Sequence, residues 1–312
     1  MRVVTTNNII AGFAYGLLSM LAFGFYGLPR KLSRMSQRDF MVCMSVGVFI
    51  ATSLIGFPRV DRVWASARTV ALSYLSGVLW YVGSLLWIKA IDVIGYGSAT
   101  AIKNTTCVFG TIIGIVVFNE YAHASPSRIL LVVLGSILVS VSATILGRLG
   151  TKQDMGERAS DSRNWFSGIA LALGAAIALA SYMLPGRFAS ENAAAWGWTY
   201  YCLLGQGVLL AGLVTYGVSG DTGSVLRESR RERLMGIAAG LLYGVAFALM
   251  MTSMNLVGMA VGFSLANMNI VVVLPLSILV LREVDYHAER RIVLVGAACA
   301  AIGTICLAAS KG

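Results

Sequence analysis

Charged side chains are scarce in this chain, and their scarcity excludes an ordinary water-soluble protein. Only 12% of the 312 residues are Asp, Glu, Lys or Arg, whereas 57% are hydrophobic. The mean hydropathy is correspondingly high, at +0.78. A soluble domain carries about 25% charged residues, so the polar groups here cannot cover a surface that faces water. We therefore expect an integral membrane protein with lipid as its solvent.

Histidine and cysteine are also few, and their positions exclude familiar catalytic and metal-binding arrangements. His123 and His287 lie in expected loops without paired ligands, and the five cysteines lack metal-ligand spacing. No Gly-rich phosphate loop ending in Lys-Ser or Lys-Thr occurs, which argues against a nucleotide-driven pump. The sequence therefore predicts no enzyme activity, no metal site and no cofactor. Any transport by such a chain would then draw on a gradient or on another solute.

Long apolar segments, in contrast, are abundant. A spanning helix needs about 20 mostly apolar residues, and backbone groups in lipid must be satisfied internally, which favours helices for segments of this length. The sequence predicts an all-α integral membrane fold with ten transmembrane helices, at about 9–28, 39–57, 69–90, 94–118, 128–147, 167–189, 195–216, 234–254, 258–281 and 291–310.

The formal charge of +10 is compatible with either nucleic-acid binding or a membrane topology signal. Position favours topology, because one set of expected loops holds sixteen Lys and Arg residues and the other holds seven. Cytoplasmic loops carry the basic excess in membrane proteins. The distribution predicts a multi-pass protein of the cell inner membrane with both termini on the non-cytoplasmic side and no nucleic-acid partner.

The chain also contains one pattern twice, because residues 77–120 align without a gap on residues 240–283. The matched pairs are Gly77/Gly240, Leu79/Leu242, Val82/Val245, Leu86/Leu249, Gly95/Gly258, Asn104/Asn267, Val108/Val271, Ile115/Ile278, Val117/Val280 and Glu120/Glu283. A weaker echo links residues 26–31 to residues 182–187. Five expected helices separate the copies, so the second half enters from the opposite face. This predicts two inverted five-helix repeats, 1–150 and 167–312, joined by a polar loop at 151–166, with a site between them near mid-depth.

Polar residues inside the expected helices are the candidates for that site. Asn104 and Asn267 are equivalent and offer donors and acceptors for sugar hydroxyls or an amide. The alternative is that each hydrogen-bonds a neighbouring helix. Asn269, two positions further on, is expected to face away from Asn267 and to be structural. Gln206 is a further candidate in the middle of the seventh expected helix.

Lys103 lies about nine residues into the fourth expected helix, at a depth of roughly 14 Å for a rise of about 1.5 Å per residue. A charge at that depth is a functional hypothesis by default. It would pair with an acidic substrate or carry a coupling proton. The alternatives are snorkelling to the headgroups and a fixed bond to a carbonyl at a helix end.

Two further groups complete the set of candidates. The equivalent aromatics Trp80 and Tyr243 would stack on a sugar ring, or simply pack against lipid and helices. Gating or coupling is predicted for residues at helix ends in both halves, where the alternative for the two glutamates is exposure to headgroup water. These residues are Glu120, Glu283, Pro29 and Pro185.

Short motifs in both halves resemble a known family. Residues 77–83 (GVLWYVG) resemble the G-x-L-W-x-x-G of the glucose/ribose uptake-type carbohydrate permeases, within the drug/metabolite transporter superfamily. Residues 258–267 (GMAVGFSLAN) resemble their G-x-A-x-x-F-S-L-S-Q, and residues 28–31 (LPRK) also match. The resemblance implies ten helices in a five-plus-five plan and uptake of sugars with a cation or proton. The chain departs from the family pattern at residues 102–105 and 266–267, so a changed substrate is expected.

These observations predict a secondary transporter that imports a sugar or related polar metabolite by alternating access, with a proton or sodium ion as the candidate coupling ion. Two alternatives remain open from the residues. One is an exporter of amino acids or small metabolites with the same fold. The other is a non-transporting membrane component, against which the paired polar residues of the repeat argue.

Overall fold

The computed structural model describes residues 6–60, 65–122, 124–147, 162–189, 197–218, 224–280 and 286–310. These residues form helices and connecting turns, without a β-strand among them. The helices are α1 (Thr6–Phe25), α2 (Leu28–Leu32), α3 (Gln37–Gly56), α4 (Ala67–Ile94), α5 (Tyr96–Lys103), α6 (Thr106–Ile112), α7 (Pro126–Gly147), α8 (Ser162–Ser181), α9 (Met183–Ala189), α10 (Trp198–Val218), α11 (Ser224–Arg227), α12 (Arg230–Val257), α13 (Met259–Ala266), α14 (Ile270–Leu279) and α15 (Tyr286–Ala309). The all-helical prediction is confirmed for this part of the chain.

Eight helical segments of the described residues are long and apolar enough to cross a membrane. They are Asn7–Leu32, Gln37–Arg59, Ala67–Ile94, Ala99–Val117, Pro126–Ile145, Trp165–Phe188, Trp198–Val218 and Arg230–Val257. The other two segments expected from the sequence, 258–281 and 291–310, contain shorter apolar helices at Met259–Val273 and Leu294–Leu307.

The first two helices of each copy of the repeat have matching boundaries. Helices α4 and α12 are both 28 residues long, and they begin and end at positions that the gap-free alignment makes equivalent. Each starts at a serine, because the side chains of Ser66 and Ser229 accept hydrogen bonds from the backbone N–H groups of Thr69 and Glu232. Such N-caps satisfy donors that a helix start leaves unpaired. Helices α5 and α13 then follow with eight residues each.

A single glycine separates the long helix from the short one in each copy. Gly95 has φ 80° and ψ 163°, and Gly258 has φ 85° and ψ 163°. This backbone region is open to glycine alone at low energy. The N–H of each glycine still bonds back to its long helix, at Ile91 and Met254. The chain can therefore reverse direction within one residue.

The core lies between the halves, because each long helix packs on the other half. Helix α4 contacts α8 and α10, and helix α12 contacts α1 and α3. The matched glycines Gly77 and Gly240 allow these crossings. A Cβ added at Gly77 would lie 2.5 Å from the carbonyl oxygen of Leu204, and one added at Gly240 would lie 2.1 Å from that of Met44. Small residues of this kind let helix backbones approach closely.

The helices that follow the two glycines are broken at equivalent depth. A turn at Asn104 and Thr105 separates α5 from α6, and a 3₁₀ segment, Asn267–Asn269, separates α13 from α14. A π-helical segment, Ile113–Val117, then extends α6. Each interruption takes backbone groups out of the α-helical hydrogen-bond pattern, at equivalent positions of the two copies.

Candidate functional site

A closed cavity lies between the broken helices of the two halves. Its volume is about 40 Å³, and it is lined by Phe23, Tyr26, Trp80, Lys103, Thr106, Leu179, Tyr182, Tyr243, Met250, Phe263, Asn267 and Asn269. None of these residues is more than 9% exposed. A water molecule needs about 10–15 Å³ of cavity volume. In this conformation the cavity therefore has room for a few waters and excludes a larger solute.

Aromatic rings form much of the cavity wall. The equivalent residues Trp80 and Tyr243 lie against each other, with ring centroids 4.2 Å apart and planes at 41°. Tyr26 stacks on Trp87 at 5.1 Å and 23°. The Tyr243 hydroxyl donates to the Tyr182 hydroxyl over 3.4 Å. Packed rings of this kind give a rigid apolar wall, while their hydroxyls leave polar atoms at its surface.

Two of these tyrosines reach the cavity because their helices break next to them. Helix α1 ends at Phe25, one residue before Tyr26, and helix α8 ends at Ser181, one residue before Tyr182. Short helices then follow, each carrying a proline in its first turn, Pro29 in α2 and Pro185 in α9. Proline suits a first turn because its missing N–H has no partner there anyway. Neither proline lines the cavity, and their predicted gating role stays a prediction.

Lys103 is the cation of the cavity wall. It is the last residue of α5 and only 5% exposed, and its Nζ lies 5.7 Å from the ring centroid of Trp87. Within the part of the chain that the structure describes, its ammonium makes no hydrogen bond and no ion pair. A desolvated cation–π contact contributes about 2 kcal/mol, whereas desolvating an ion costs several kcal/mol. Trp87 and the negative C-terminal end of the α5 dipole therefore offset part of the free-energy cost of burying this charge.

The asparagines occupy different places around the cavity. Asn267 and Asn269 line it, whereas Asn104 lies behind Asn269 and donates from Nδ2 to its Oδ1 over 2.8 Å. Asn267 itself donates to the Phe263 carbonyl over 2.9 Å. The expectation that Asn269 faces away from Asn267 assumed α-helical geometry and is wrong. In a 3₁₀ segment three residues make one turn, so a step of two residues turns by about 240°, which is about 120° measured the shorter way around the helix axis. This angle is smaller than in an α-helix, so Asn267 and Asn269 can both face the cavity.

Gln206 lies outside the cavity wall. Its Oε1 accepts a hydrogen bond from the Tyr74 hydroxyl over 2.8 Å. The pair joins α10 to α4, which belong to different halves of the chain. Packing between the halves explains this contact, so the structure does not bring Gln206 into the candidate site.

Glu120 joins the two broken helices at one end of the cavity. Its carboxylate oxygens accept from the backbone N–H groups of Met259, at 2.6 Å, and Ala260, at 3.1 Å. These are the first two residues of α13, where unpaired N–H groups and the helix dipole favour a negative charge. The end of the first copy of the repeat, 77–120, is thus held on the start of a helix in the second copy. Glu283, the equivalent residue, lies outside the described residues.

Polar contacts also lie at the opposite end of α12, one set within the first half and one set between the halves. Arg30 donates to both carboxylate oxygens of Asp92, each at 3.1 Å. The backbone N–H of Arg34 and the hydroxyl of Ser33 donate to the Glu232 carboxylate at the start of α12. The contacts of Glu120 and of Glu232 thus join the halves near opposite ends of α12, and the cavity residues Tyr243 and Met250 lie between these ends.

Comparison with known proteins assigns the family. The sequence model of the family described as "Sugar transport protein" matches residues 14–309. This chain belongs to the sugar transport protein family. A relative from Lactiplantibacillus plantarum named "Putative sugar uptake protein" is 24% identical over 96% of this chain and 99% of its own. The "Glucose uptake protein GlcU" of Bacillus subtilis is 26% identical over 81% of this chain and 82% of its own.

A solved crystal structure has the same fold, with a TM-score of 0.61 over 96% of this chain and 98% of that chain at 13% identity. Eight apolar helices in a member of the sugar transport protein family indicate a multi-pass integral membrane protein. The resemblance to sugar-uptake permeases is confirmed, and the wider superfamily remains a prediction.

Several cavity residues of this family member were not identified from its sequence. Among them are Tyr26, Tyr182, Thr106 and Phe263. The weak echo between residues 26–31 and 182–187 contains a signal for the two tyrosines, because it places each three residues before a proline. The structure describes no cluster of three metal-ligating side chains within its residues.

Proposed function

We propose that this chain is a secondary active transporter that imports a sugar or a related polar metabolite by alternating access. The observation that carries the proposal is the closed cavity between the two halves, whose wall combines aromatic rings with buried polar groups. Membership of the sugar transport protein family supports it. Aromatic faces suit the apolar C–H face of a pyranose ring, and amide and hydroxyl groups suit its hydroxyls.

The proposed architecture is ten transmembrane helices in two inverted five-helix repeats. The identical boundaries of α4 and α12 support it, as do their reciprocal contacts with the other half. In this arrangement the broken helices contribute Lys103 and Thr106 from the first half, and Phe263, Asn267 and Asn269 from the second, to the cavity wall. Equivalent parts then form the two ends, so opening one end while closing the other changes the packing free energy little.

The structure represents a state in which both ends are closed. Release of the Glu120 contact with α13 would open one end, and release of the Ser33 and Arg34 contacts with Glu232 would open the other. By the alignment, Glu283 is the counterpart of Glu120 in the second half. We infer that these two glutamates act alternately, one at each end of the cavity.

The proposed energy source is a proton or sodium gradient across the cell inner membrane, with both termini on the non-cytoplasmic side. The chain would then act without cofactor, metal ion or enzymatic chemistry. The predominance of basic residues on one set of loops supports this orientation.

The test is flux measurement with purified protein in proteoliposomes. Labelled hexoses and related polyols are offered with no gradient, with an imposed pH gradient and with an imposed sodium gradient. Saturable uptake that one gradient accelerates is the expected result, and protein-free liposomes are the control. Saturable efflux of amino acids without sugar flux would instead identify an exporter. Monodisperse protein with no flux of any polar solute would contradict transport.

A further inference from the structure

We propose that the transported solute is an anionic sugar whose single carboxylate binds Lys103, so that the cavity selects a sugar acid over a neutral sugar. This inference deepens the proposed transport function and rests on it. It uses the charge and geometry of the cavity wall, in which one buried cation faces polar neutral groups.

The charge of the cavity wall is unbalanced. Its twelve lining residues include one lysine and no carboxylate. Elsewhere in the described chain the carboxylates near the cavity are engaged, with Glu120 on Met259 and Ala260 and Asp92 on Arg30. Among the described residues, the three N–H donors of the Lys103 ammonium make no hydrogen bond, and the ammonium lies over the face of Trp87. A ligand that brings a negative charge would complete this environment.

A carboxylate fits this charge better than a phosphate does. A phosphate monoester carries about −1.5 to −2 charges at neutral pH, whereas the wall offers one positive charge. The remaining negative charge of a phosphate would lose its hydration in the cavity without gaining a counter-ion. A sugar carboxylate carries one charge and matches Lys103 without excess.

The neutral part of the wall suits the rest of such a molecule. The hydroxyls of Tyr26 and Tyr182 and the amides of Asn267 and Asn269 lie in the same wall. The Tyr182 hydroxyl accepts from Tyr243, so its own hydrogen is available to a ligand. Sugar hydroxyls both donate and accept, and they can satisfy all of these groups. The aromatic rings would take the apolar face of the sugar.

The repeat also orients the anion. The position equivalent to Lys103 in the second half is Ala266, which is fully buried and lies outside the cavity wall. Positive charge therefore comes from the first half alone. The carboxylate end of the solute would lie toward α5 and its hydroxyls toward α13 and α14.

The experiment is uptake of labelled glucuronate into proteoliposomes that contain the full chain, in competition with unlabelled glucuronate, glucose or glucose 6-phosphate. The expected result is competition by glucuronate at concentrations about tenfold or more below those of glucose, since a hydrogen bond to a charged group has about that effect on affinity. Lys103→Met and Lys103→Gln should each lose this preference. Lys103→Arg should retain part of it, because the charge remains. Lys89→Met removes an exposed lysine of α4 and is the matched control.

The outcomes separate this inference from the proposed function. Equal or better competition by glucose, with the preference unchanged in Lys103→Met, would overturn the anionic-sugar proposal and leave sugar transport standing. Flux of neither sugar would contradict transport itself. Thermal stabilisation of the unsubstituted protein by glucuronate, measured against glucose and glucose 6-phosphate, tests the anion site without flux and without any variant. Greater stabilisation by glucose than by glucuronate would overturn the proposal, and so would greater stabilisation by the phosphate.

Discussion

The side chain of Asn104 donates a hydrogen bond to the side chain of Asn269 over 2.8 Å, and both residues are at most 2% exposed. Asn104 lies in the turn that breaks the helix of the first half, and Asn269 ends the 3₁₀ segment that breaks the helix of the second. The bond therefore links the two interruptions directly behind the cavity wall. It is the side-chain hydrogen bond of Asn104 among the described residues, since its Oδ1 has no partner there, whereas Asn269 also donates to the Phe23 carbonyl over 3.4 Å.

Replacing Asn104 with Leu should destabilise the fold by about 1–3 kcal/mol, because it leaves the buried Asn269 oxygen without its donor. The Asn104→Leu, Asn269→Leu double variant should lose less than the sum of the two single variants, since it removes both partners. Thermal unfolding of all four proteins in one detergent measures this coupling. Additive effects of the two substitutions would show that the bond does not stabilise the fold.

Much of the fold follows from the sequence because the matched residues of the repeat include glycines that determine the backbone conformation. Gly95 and Gly258 allow the chain to reverse direction. Gly77 and Gly240 allow the close helix crossings. Because both pairs are matched in the alignment, the helices around them begin and end at equivalent positions. The helix breaks at Asn104 and Asn267 could not be read from hydropathy. The apolar pattern runs across both of them, and the choice between α and 3₁₀ geometry depends on tertiary contacts.

Residues of the cavity wall could be predicted from the sequence only where their type is unusual in an apolar helix. Lys103, Asn267, Trp80 and Tyr243 were identified in this way and line it. Tyr26 and Tyr182 were missed because a tyrosine near a helix end normally indicates the membrane interface. The helices end next to these two tyrosines, and the rings then face the cavity. The hydropathy pattern of a single helix does not predict where such a break occurs.

The crossing of α12 with α3 should be intolerant of any side chain. A Cβ at Gly240 would lie 2.1 Å from the Met44 carbonyl oxygen and 2.6 Å from the Val48 nitrogen, and backbone atoms cannot move aside easily. Gly240→Ala should therefore lower stability by about 1–3 kcal/mol. Gly217→Ala is the control, because nothing lies within 4 Å of a Cβ there and alanine favours a helix by about 1 kcal/mol. Equal unfolding temperatures of the two variants would contradict this packing.

The glycine reversals give a separate prediction about backbone strain. Gly95→Ala and Gly258→Ala should each lower stability by about 1–3 kcal/mol, because φ near 80° with extended ψ is costly for any L-residue. Similar losses at both positions would follow from their shared geometry. Thermal unfolding under the Gly217→Ala control conditions provides the comparison. A neutral substitution at either position would show that the reversal has a different backbone there.

Loss of the Glu120 cap should weaken one end of the closed cavity. Glu120→Ala removes both acceptors of the Met259 and Ala260 N–H groups, and caps of this kind contribute about 0.5–2 kcal/mol. Glu120→Gln keeps one acceptor oxygen without the charge and should lie between Ala and the unsubstituted protein. Thermal unfolding gives the order of the three proteins, and proteoliposome flux shows whether the end opens more readily. Equal stability of all three would contradict the cap.

The distribution of basic residues predicts how the chain sits in the membrane, and this can be tested without knowing the solute. Sixteen Lys and Arg residues fall on the loops assigned to the cytoplasm and seven on the other side. A reporter that is active only outside the cytoplasm should therefore be active when fused after Gly312. The same reporter inserted at Gln153, in the basic loop between the halves, should be inactive, and a reporter active only in the cytoplasm should give the reverse pattern. If the Gly312 fusion is active only in the cytoplasm, the orientation is wrong and the ends held by Glu120 and by Glu232 exchange sides. Equal activity of one reporter at both sites would instead contradict an odd number of crossings between them.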